Sequence, residues 1–245
     1  MTRRWMIIII LAAGCGGSGD KSAAEPDHRI ERGDGSEGRD GVPDVDDGPD
    51  DGLEVSGLKG HIEPYEINRG IQSRGGEFND CHHDQLGGRG WLGGKVKLKF
   101  AVNPEGAVDS VYLMEGDLGS WAVERCLLEV AGGIEFARPK GGDRHAEFDI
   151  DLTFSAKRST LWWDEDKVDG EVAKLVKDLA PCTPAPEEVW VTLYAGTRGK
   201  VLSTGFTGKQ PIDPAWADCA AAAIGKWTVT DPRGQVAKGS FRYSP

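Results

Sequence analysis

The fold of this chain is decided by residues 96–108, VKLKFAVNPEGAV, which are matched by residues 189–201, VWVTLYAGTRGKV. The two stretches lie 93 positions apart (189 − 96 = 93). The same offset superposes glycines, a cysteine, a proline and an aromatic position: Gly106 and Gly199, Cys126 and Cys219, Pro139 and Pro232, Phe148 and Phe241. Because several of these residue types fix the backbone, we interpret residues 96–152 and 189–245 as an internal repeat without gaps.

Each copy of the repeat begins with a β-hairpin. Val96, Leu98, Phe100 and Val102 alternate with polar or small residues, which predicts a strand with one buried face. The turn at residues 103–106 carries proline and glycine at positions that favour chain reversal, and a return strand follows from residue 108. Residues 196–199 play the same part in the second copy.

Helices flank the hairpin in each copy. Apolar residues at helical spacing predict a helix over residues 64–86, which Gly75-Gly76 should weaken or kink, and the pattern recurs before Cys182. A second helix should begin at Ser120, whose hydroxyl can cap free amides. Its counterpart should begin at Asp213, and a third strand closes each copy.

The repeat predicts an α+β fold of two tandem domains, 57–156 and 160–245, each with the order α-β-β-α-β. A right-handed crossover lays the third strand beside the first, which gives a three-stranded mixed sheet in the order 2-1-3, packed on two helices. The third strand then lies at an open edge of the sheet.

The first 14 residues predict an export signal, with Arg3 and Arg4 ahead of a short apolar run. Residues 11–15, LAAGC, resemble the lipobox of bacterial lipoproteins, so Cys15 is the expected lipidation site; an ordinary secretory signal is the alternative. Residues 15–56 are predicted to be a disordered tether. Residues 16–57 hold 13 acidic and 4 basic side chains, so 4 − 13 = −9 of the net charge of −11 lies there.

The four cysteines other than Cys15 are predicted to form disulfides in an oxidising compartment. Four cysteines allow three connectivities, and the repeat selects Cys81 with Cys126 and Cys182 with Cys219. A thiol redox role is disfavoured because the sequence has no Cys-x-x-Cys.

No motif for catalysis stands out. The acidic balance argues against nucleic-acid binding, and we predict no catalytic residue, no metal and no cofactor. Cys81-His82-His83-Asp84 is the best enzymatic candidate, but adjacent histidines on a helix point about 100° apart, so a solvated helix end is favoured over a metal site. Trp216 and Trp227 fall on core positions of the repeat, whereas Trp162-Trp163 is the pair expected to be most exposed. Even for this pair, packing between the domains is favoured over glycan stacking.

The first copy resembles the AgmX/PglI C-terminal domain family, a relative of the TonB C-terminal domain. The resemblance covers residues 57–156 and rests on Cys81, the hairpin around residues 103–108, Cys126 and Pro139. His82 departs from the aromatic residue usual after the first cysteine. The resemblance implies non-enzymatic envelope proteins that bind partners across the periplasm.

We therefore expect an outer-membrane lipoprotein of the cell envelope that binds an unknown protein partner, with peptidoglycan as a further expected partner. The binding site is predicted at the open edge of the third strand: His145, Glu147, Asp149, Asp151 and Thr153. Asp149 and Asp151 would favour a partner segment bearing Lys or Arg. The alternative is a glycan-binding protein that uses its tryptophans, or a metal-dependent hydrolase that uses His82 and His83.

Overall fold

The computed structural model describes residues 59–245. The predicted signal at 1–14, the lipidation site Cys15, the tether at 15–56 and the first residues of the predicted domain at 57–156 lie outside the described residues. All the described residues belong to one compact unit that contains both sheets.

The first copy of the repeat forms a sheet in the predicted strand order. Its strands are β1 (Gly94–Val102), β2 (Val108–Gly116) and β3 (Ala146–Phe154), in the order β2-β1-β3, and both pairings of β1 are antiparallel. Its helices are α1 (Pro64–Ser73), α2 (Gly75–Leu86) and α3 (Trp121–Gly132). The helix predicted over 64–86 is thus broken at Arg74, directly before Gly75-Gly76.

The second copy forms a four-stranded sheet. It contains β4 (Leu161–Trp162), β5 (Val189–Ala195), β6 (Val201–Thr207) and β7 (Ala237–Tyr243), in the order β4-β7-β5-β6, with α4 (Glu165–Val172) and α5 (Pro214–Ile224). The predicted 2-1-3 order is present as β6-β5-β7. The expectation of three strands is wrong here, because the short β4 pairs in parallel with the edge of β7.

A glycine holds the hairpin turn in each copy. Gly106 has φ +95° and Gly199 has φ +71°, a region that other residues rarely adopt. The carbonyls of Gly106 and Gly199 accept hydrogen bonds from the amides of Phe136 and Val229, at 2.8 and 2.9 Å. A Cβ at Gly199 would lie 1.7 Å from the Val229 carbonyl oxygen, so the close backbone approach excludes a side chain.

The repeat is not free of gaps, as the strand pairing shows. Phe100 pairs with Phe148, whereas Leu193, its counterpart at an offset of 93, pairs with Gly239, an offset of 239 − 148 = 91. The predicted match of Phe148 with Phe241 is therefore wrong by two residues. Because side chains alternate along a strand with a period of two, this difference leaves the same faces turned inward.

The structure has two apolar cores, one mainly in each copy, and Trp121 and Tyr194 each join the core of the other copy. A disulfide lies in each copy. Cys81 is bonded to Cys126 and Cys182 to Cys219, the pairing that the repeat selects. The core of the second copy includes Trp216 and Trp227, which are 0% and 3% exposed, as predicted.

The second sheet is buried on its inner face and on part of its outer face. Its inner side packs against helices, and on its outer side Thr192, Tyr194 and Lys238 are also buried, with exposures of 3%, 0% and 5%. The outer side is covered by residues 91–93 and 117–119 of the first copy, which contact Tyr194 and Lys238. The two copies of the repeat therefore share a buried junction.

Candidate functional site

The junction is built around Glu124, one turn into α3. Ser120 precedes this helix as predicted, but its hydroxyl makes no capping bond. The Glu124 carboxylate turns back instead, and its Oε1 accepts from the amides of Gly119 and Ser120 at 3.1 and 3.2 Å. Its Oε2 accepts from the amide of Phe206 in β6 at 2.7 Å. One buried carboxylate therefore joins both copies of the repeat.

Gly205 provides the space for this carboxylate. A Cβ at Gly205 would lie 2.0 Å from Glu124 Oε1 and 2.4 Å from Oε2, so any side chain would displace the acid. A glycine inside a strand often marks a place where another part of the molecule comes close to the strand backbone.

Lys238 forms a second polar bridge across the junction. Its Nζ donates to the carbonyl of Gly93 at 2.8 Å and to Asp117 Oδ2 at 2.9 Å. The Tyr194 hydroxyl donates to the same carbonyl at 2.7 Å. Burial lowers the pKa of Lys238, and Asp117 opposes this effect. Burial likewise raises the pKa of Tyr194. Both groups donate hydrogen bonds inside the junction.

The start of α3 also reaches into the second copy. The indole Nε1 of Trp121 donates to Asp218 Oδ1 at 2.6 Å, and its ring packs edge-on against Phe206. Arg125 pairs with the same aspartate at 3.3 Å. This helix therefore anchors the two copies through both apolar and charged contacts.

Burial raises the pKa of Glu124 from its ordinary value of 4.5 to about 7, while the three amide donors and Lys238 oppose the rise. The folded state thus holds this proton more tightly than the unfolded state does. The resulting stabilisation is fully present below about pH 4.5 and is lost as the pH rises through about 7.

We predict that wild-type protein loses stability, relative to Glu124→Gln, between about pH 5 and about pH 8. The difference between the two proteins isolates this carboxyl from the other titrating groups. Chemical denaturation across this range measures it. If the free energies of unfolding of the two proteins changed in parallel with pH, the raised pKa of Glu124 would be wrong.

Four of the five predicted edge residues lie on β3, and His145 directly precedes it. Glu147, Asp149, Asp151 and Thr153 are exposed, and the inward-facing Phe148, Ile150 and Leu152 are only half-buried. The edge is not open along its whole length, however. The carbonyl of His145 accepts from the amide of Gly60 at 2.7 Å, and Lys59 forms an ion pair with Glu147. The prediction of an unpaired edge is therefore wrong at His145.

Lysines lie beside the acids of this edge. Lys99 is 3.3 Å from Asp149 and 3.7 Å from Glu147, and Lys97 adjoins Asp151 in the pairing of β1 with β3. The ion pair with Lys59 holds the pKa of Glu147 below its usual range. Three lysines thus face three acids, so these six side chains give the edge no net charge with which to select a basic partner.

His82 belongs to the core. It is 8% exposed, its Nε2 lies 3.0 Å from the carbonyl oxygen of Leu92, and its ring packs on Phe154 at 5.0 Å. The predicted solvated position is therefore wrong for His82, although His83 and His145 are exposed. Within residues 59–245, no group of three or more His, Cys, Asp or Glu side chains is placed to hold a metal ion.

Of the predicted exposed pair, Trp162 is 57% exposed but Trp163 is 3% exposed and packs in the second core. None of the helices in the part of the chain that the structure describes is long and apolar enough to cross a membrane. Comparisons with family models, curated proteins and solved structures give no match.

Proposed function

We propose that the chain is a non-enzymatic interaction module of the bacterial cell envelope, held at a membrane through Cys15, which binds a protein partner by strand addition along β3. The observation that carries this proposal is the β3 edge from Phe148 to Phe154, which no strand within residues 59–245 covers. Its inner residues Phe148, Ile150 and Leu152 are half-exposed. The resemblance to the AgmX/PglI C-terminal domain family supports the same role.

The backbone geometry of β3 supports strand addition. The His145 carbonyl points away from β1, since it accepts from Gly60. Alternate residues of an antiparallel edge strand present their amides and carbonyls on the same side. Glu147, Asp149, Asp151 and Thr153 therefore direct backbone groups outward, which is the requirement for pairing with an added strand.

The second sheet shows how such an edge accepts a strand. At the beginning of β7, the carbonyls of Val236, which precedes the strand, and of Lys238 accept from the amides of Leu161 and Trp163, both at 2.9 Å. At the offset of 91, Val236 corresponds to His145, so the Gly60 bond in the first copy is the same contact. Each copy thus covers the beginning of its third strand with its own leading segment, and within the described residues the remainder of that edge pairs with no strand.

We predict that Asp151→Pro weakens partner binding at least tenfold, because proline removes one outward amide while the bonds to β1 are kept. Asp151→Ala is the matched control, since it removes the charge and keeps the amide. A partner recovered from envelope extract with residues 57–245 provides the binding assay. If both variants bound as tightly as wild type, strand addition at this edge would be wrong.

Hydrogen exchange of backbone amides tests the same complex in a second way. Partner binding should slow exchange of the amides of Glu147, Asp149, Asp151 and Thr153, whereas those of Phe148 and Ile150 are already bonded to β1. Slowed exchange confined to a helix face would place the partner elsewhere.

We also predict that Cys15 carries a lipid and that the protein fractionates with membranes. Metabolic labelling with a lipid precursor tests this, with Cys15→Ser as the control that should lose the label. Label retained by Cys15→Ser, or a wild-type protein found wholly in the soluble fraction, would exclude the anchor.

The alternative of a metal-dependent hydrolase at His82 and His83 gains no support from the geometry. The His82 side chain is buried between Phe154 and the carbonyl of Leu92 and cannot reach a substrate.

A further inference from the structure

A cleft of about 580 Å³ opens where the outer face of the second sheet emerges from beneath the first copy of the repeat. One wall is the end of β2, with Met114 and Gly116, and the floor is Trp190 with Thr207. A hydrogen bond from the amide of Gly208 to the carbonyl of Leu113, at 2.9 Å, joins the chain after β6 to β2 beside the cleft. The volume lies within the range typical of small-ligand sites.

Trp190 places a large, partly exposed aromatic ring on the outer face of its strand. Its neighbours Val189 and Val191 are fully buried in the core, whereas Trp190 is 37% exposed on the opposite face. At the repeat offset it replaces Lys97 (97 + 93 = 190), which forms an ion pair with Glu115. No ring pair or cation contact within residues 59–245 involves Trp190. The accessible part of its ring is thus left for a ligand.

The charged residues that line the cleft are Glu115, Glu188 and Lys209, and each is in an ion pair. Two of these pairs reach Lys97 and Arg242, which lie outside the lining. Glu188 lies 3.3 Å from Arg242 and 3.9 Å from Lys209, and Glu115 lies 3.1 Å from Lys97. These pairs offer many hydrogen-bonding atoms but little net charge. Such a rim favours a neutral ligand rich in hydroxyl groups over an anion or a cation.

We propose that this cleft binds a sugar residue of a neutral glycan, with the pyranose ring stacked on Trp190 and its hydroxyls bonded by Glu188 and Lys209. A pyranose ring has an apolar face of C–H groups, which suits an indole surface, and a polar circumference, which suits the paired charges of the rim. The site is separate from the β3 edge, so it does not depend on strand addition.

The test uses the protein from residue 57 to 245 and two neutral probes, the β-1,4-linked tetramers of N-acetylglucosamine and of glucose. NMR titration should show a saturable shift of the Trp190 indole N–H with at least one probe. Trp190→Ala should weaken that binding about tenfold or more, and Trp190→Phe should weaken it less.

Trp162→Ala is the matched control, because Trp162 is more exposed than Trp190 but lies outside the cleft. It should bind the probe as wild type does. Thermal unfolding of each variant checks that the fold is kept. The proposal is overturned if neither tetramer shifts the Trp190 signal, if Trp190→Ala binds normally, or if Trp162→Ala loses binding equally.

Discussion

Replacing Glu124 by alanine should lower the free energy of unfolding by about 3 kcal/mol or more, because it leaves three backbone amides without a partner in a buried junction. Gly205→Ala should have an effect of about the same size, since its Cβ would occupy the position of the carboxylate. Urea unfolding measures both changes.

The double variant Glu124→Ala/Gly205→Ala should be less destabilised than the sum of the single variants, by about 2 kcal/mol, because the methyl group at residue 205 enters the space that the carboxylate vacates. Glu129→Ala serves as the control on the same helix, where the side chain is 72% exposed. Gly170→Ala is the control for an added methyl group, since a Cβ there meets nothing within 4 Å. Strict additivity of the two junction substitutions would contradict the direct contact.

Removing the second disulfide with Cys182→Ser/Cys219→Ser should lower the free energy of unfolding by about 4 kcal/mol in the chain-entropy model, since the bond closes a loop with a sequence separation of 37. The effect should reach the whole described unit, because Glu124, Lys238 and Trp121 tie the two copies together. Differential scanning calorimetry should therefore show one transition at a lower temperature.

The first disulfide provides the comparison. Cys81→Ser/Cys126→Ser opens a loop with a sequence separation of 45 and should shift the same single transition by a similar amount. Two transitions, of which each variant moved only one, would mean that the copies unfold independently. That result would weaken the role given to the junction.

The sequence predicted much of the fold because its signals are local. Alternation from Val96 to Val102, the glycines at 106 and 199 and the paired cysteines each act within one copy of the repeat, and the structure contains the strands, turns and disulfides that they indicate. The sequence does not reveal that the repeat offset changes from 93 to 91 in the third strand, because a shift of two residues preserves the pattern of inward and outward side chains.

The junction could not be found in this way, because it depends on contacts between residues far apart in sequence. Glu124 lies beside Val123 in an amphipathic helix, and the sequence pattern predicts that it is on the surface. In the structure β6 covers it. The only local signal was Gly205, a glycine inside a strand where the first copy has Tyr112. His82 was placed in solvent for the same reason, since its cover comes from Leu92 and Phe154.

The first copy covers the outer face of the second sheet around Tyr194 and Lys238, so each copy depends on the other. A gene that encoded only the second copy would yield a protein whose Tyr194 and Lys238 lose the partners that they have in the first copy. A gene that encoded only the first would leave Glu124 and Trp121 without the strand and the aspartate that they bind. Neither copy alone would therefore keep all the hydrogen bonds of the junction.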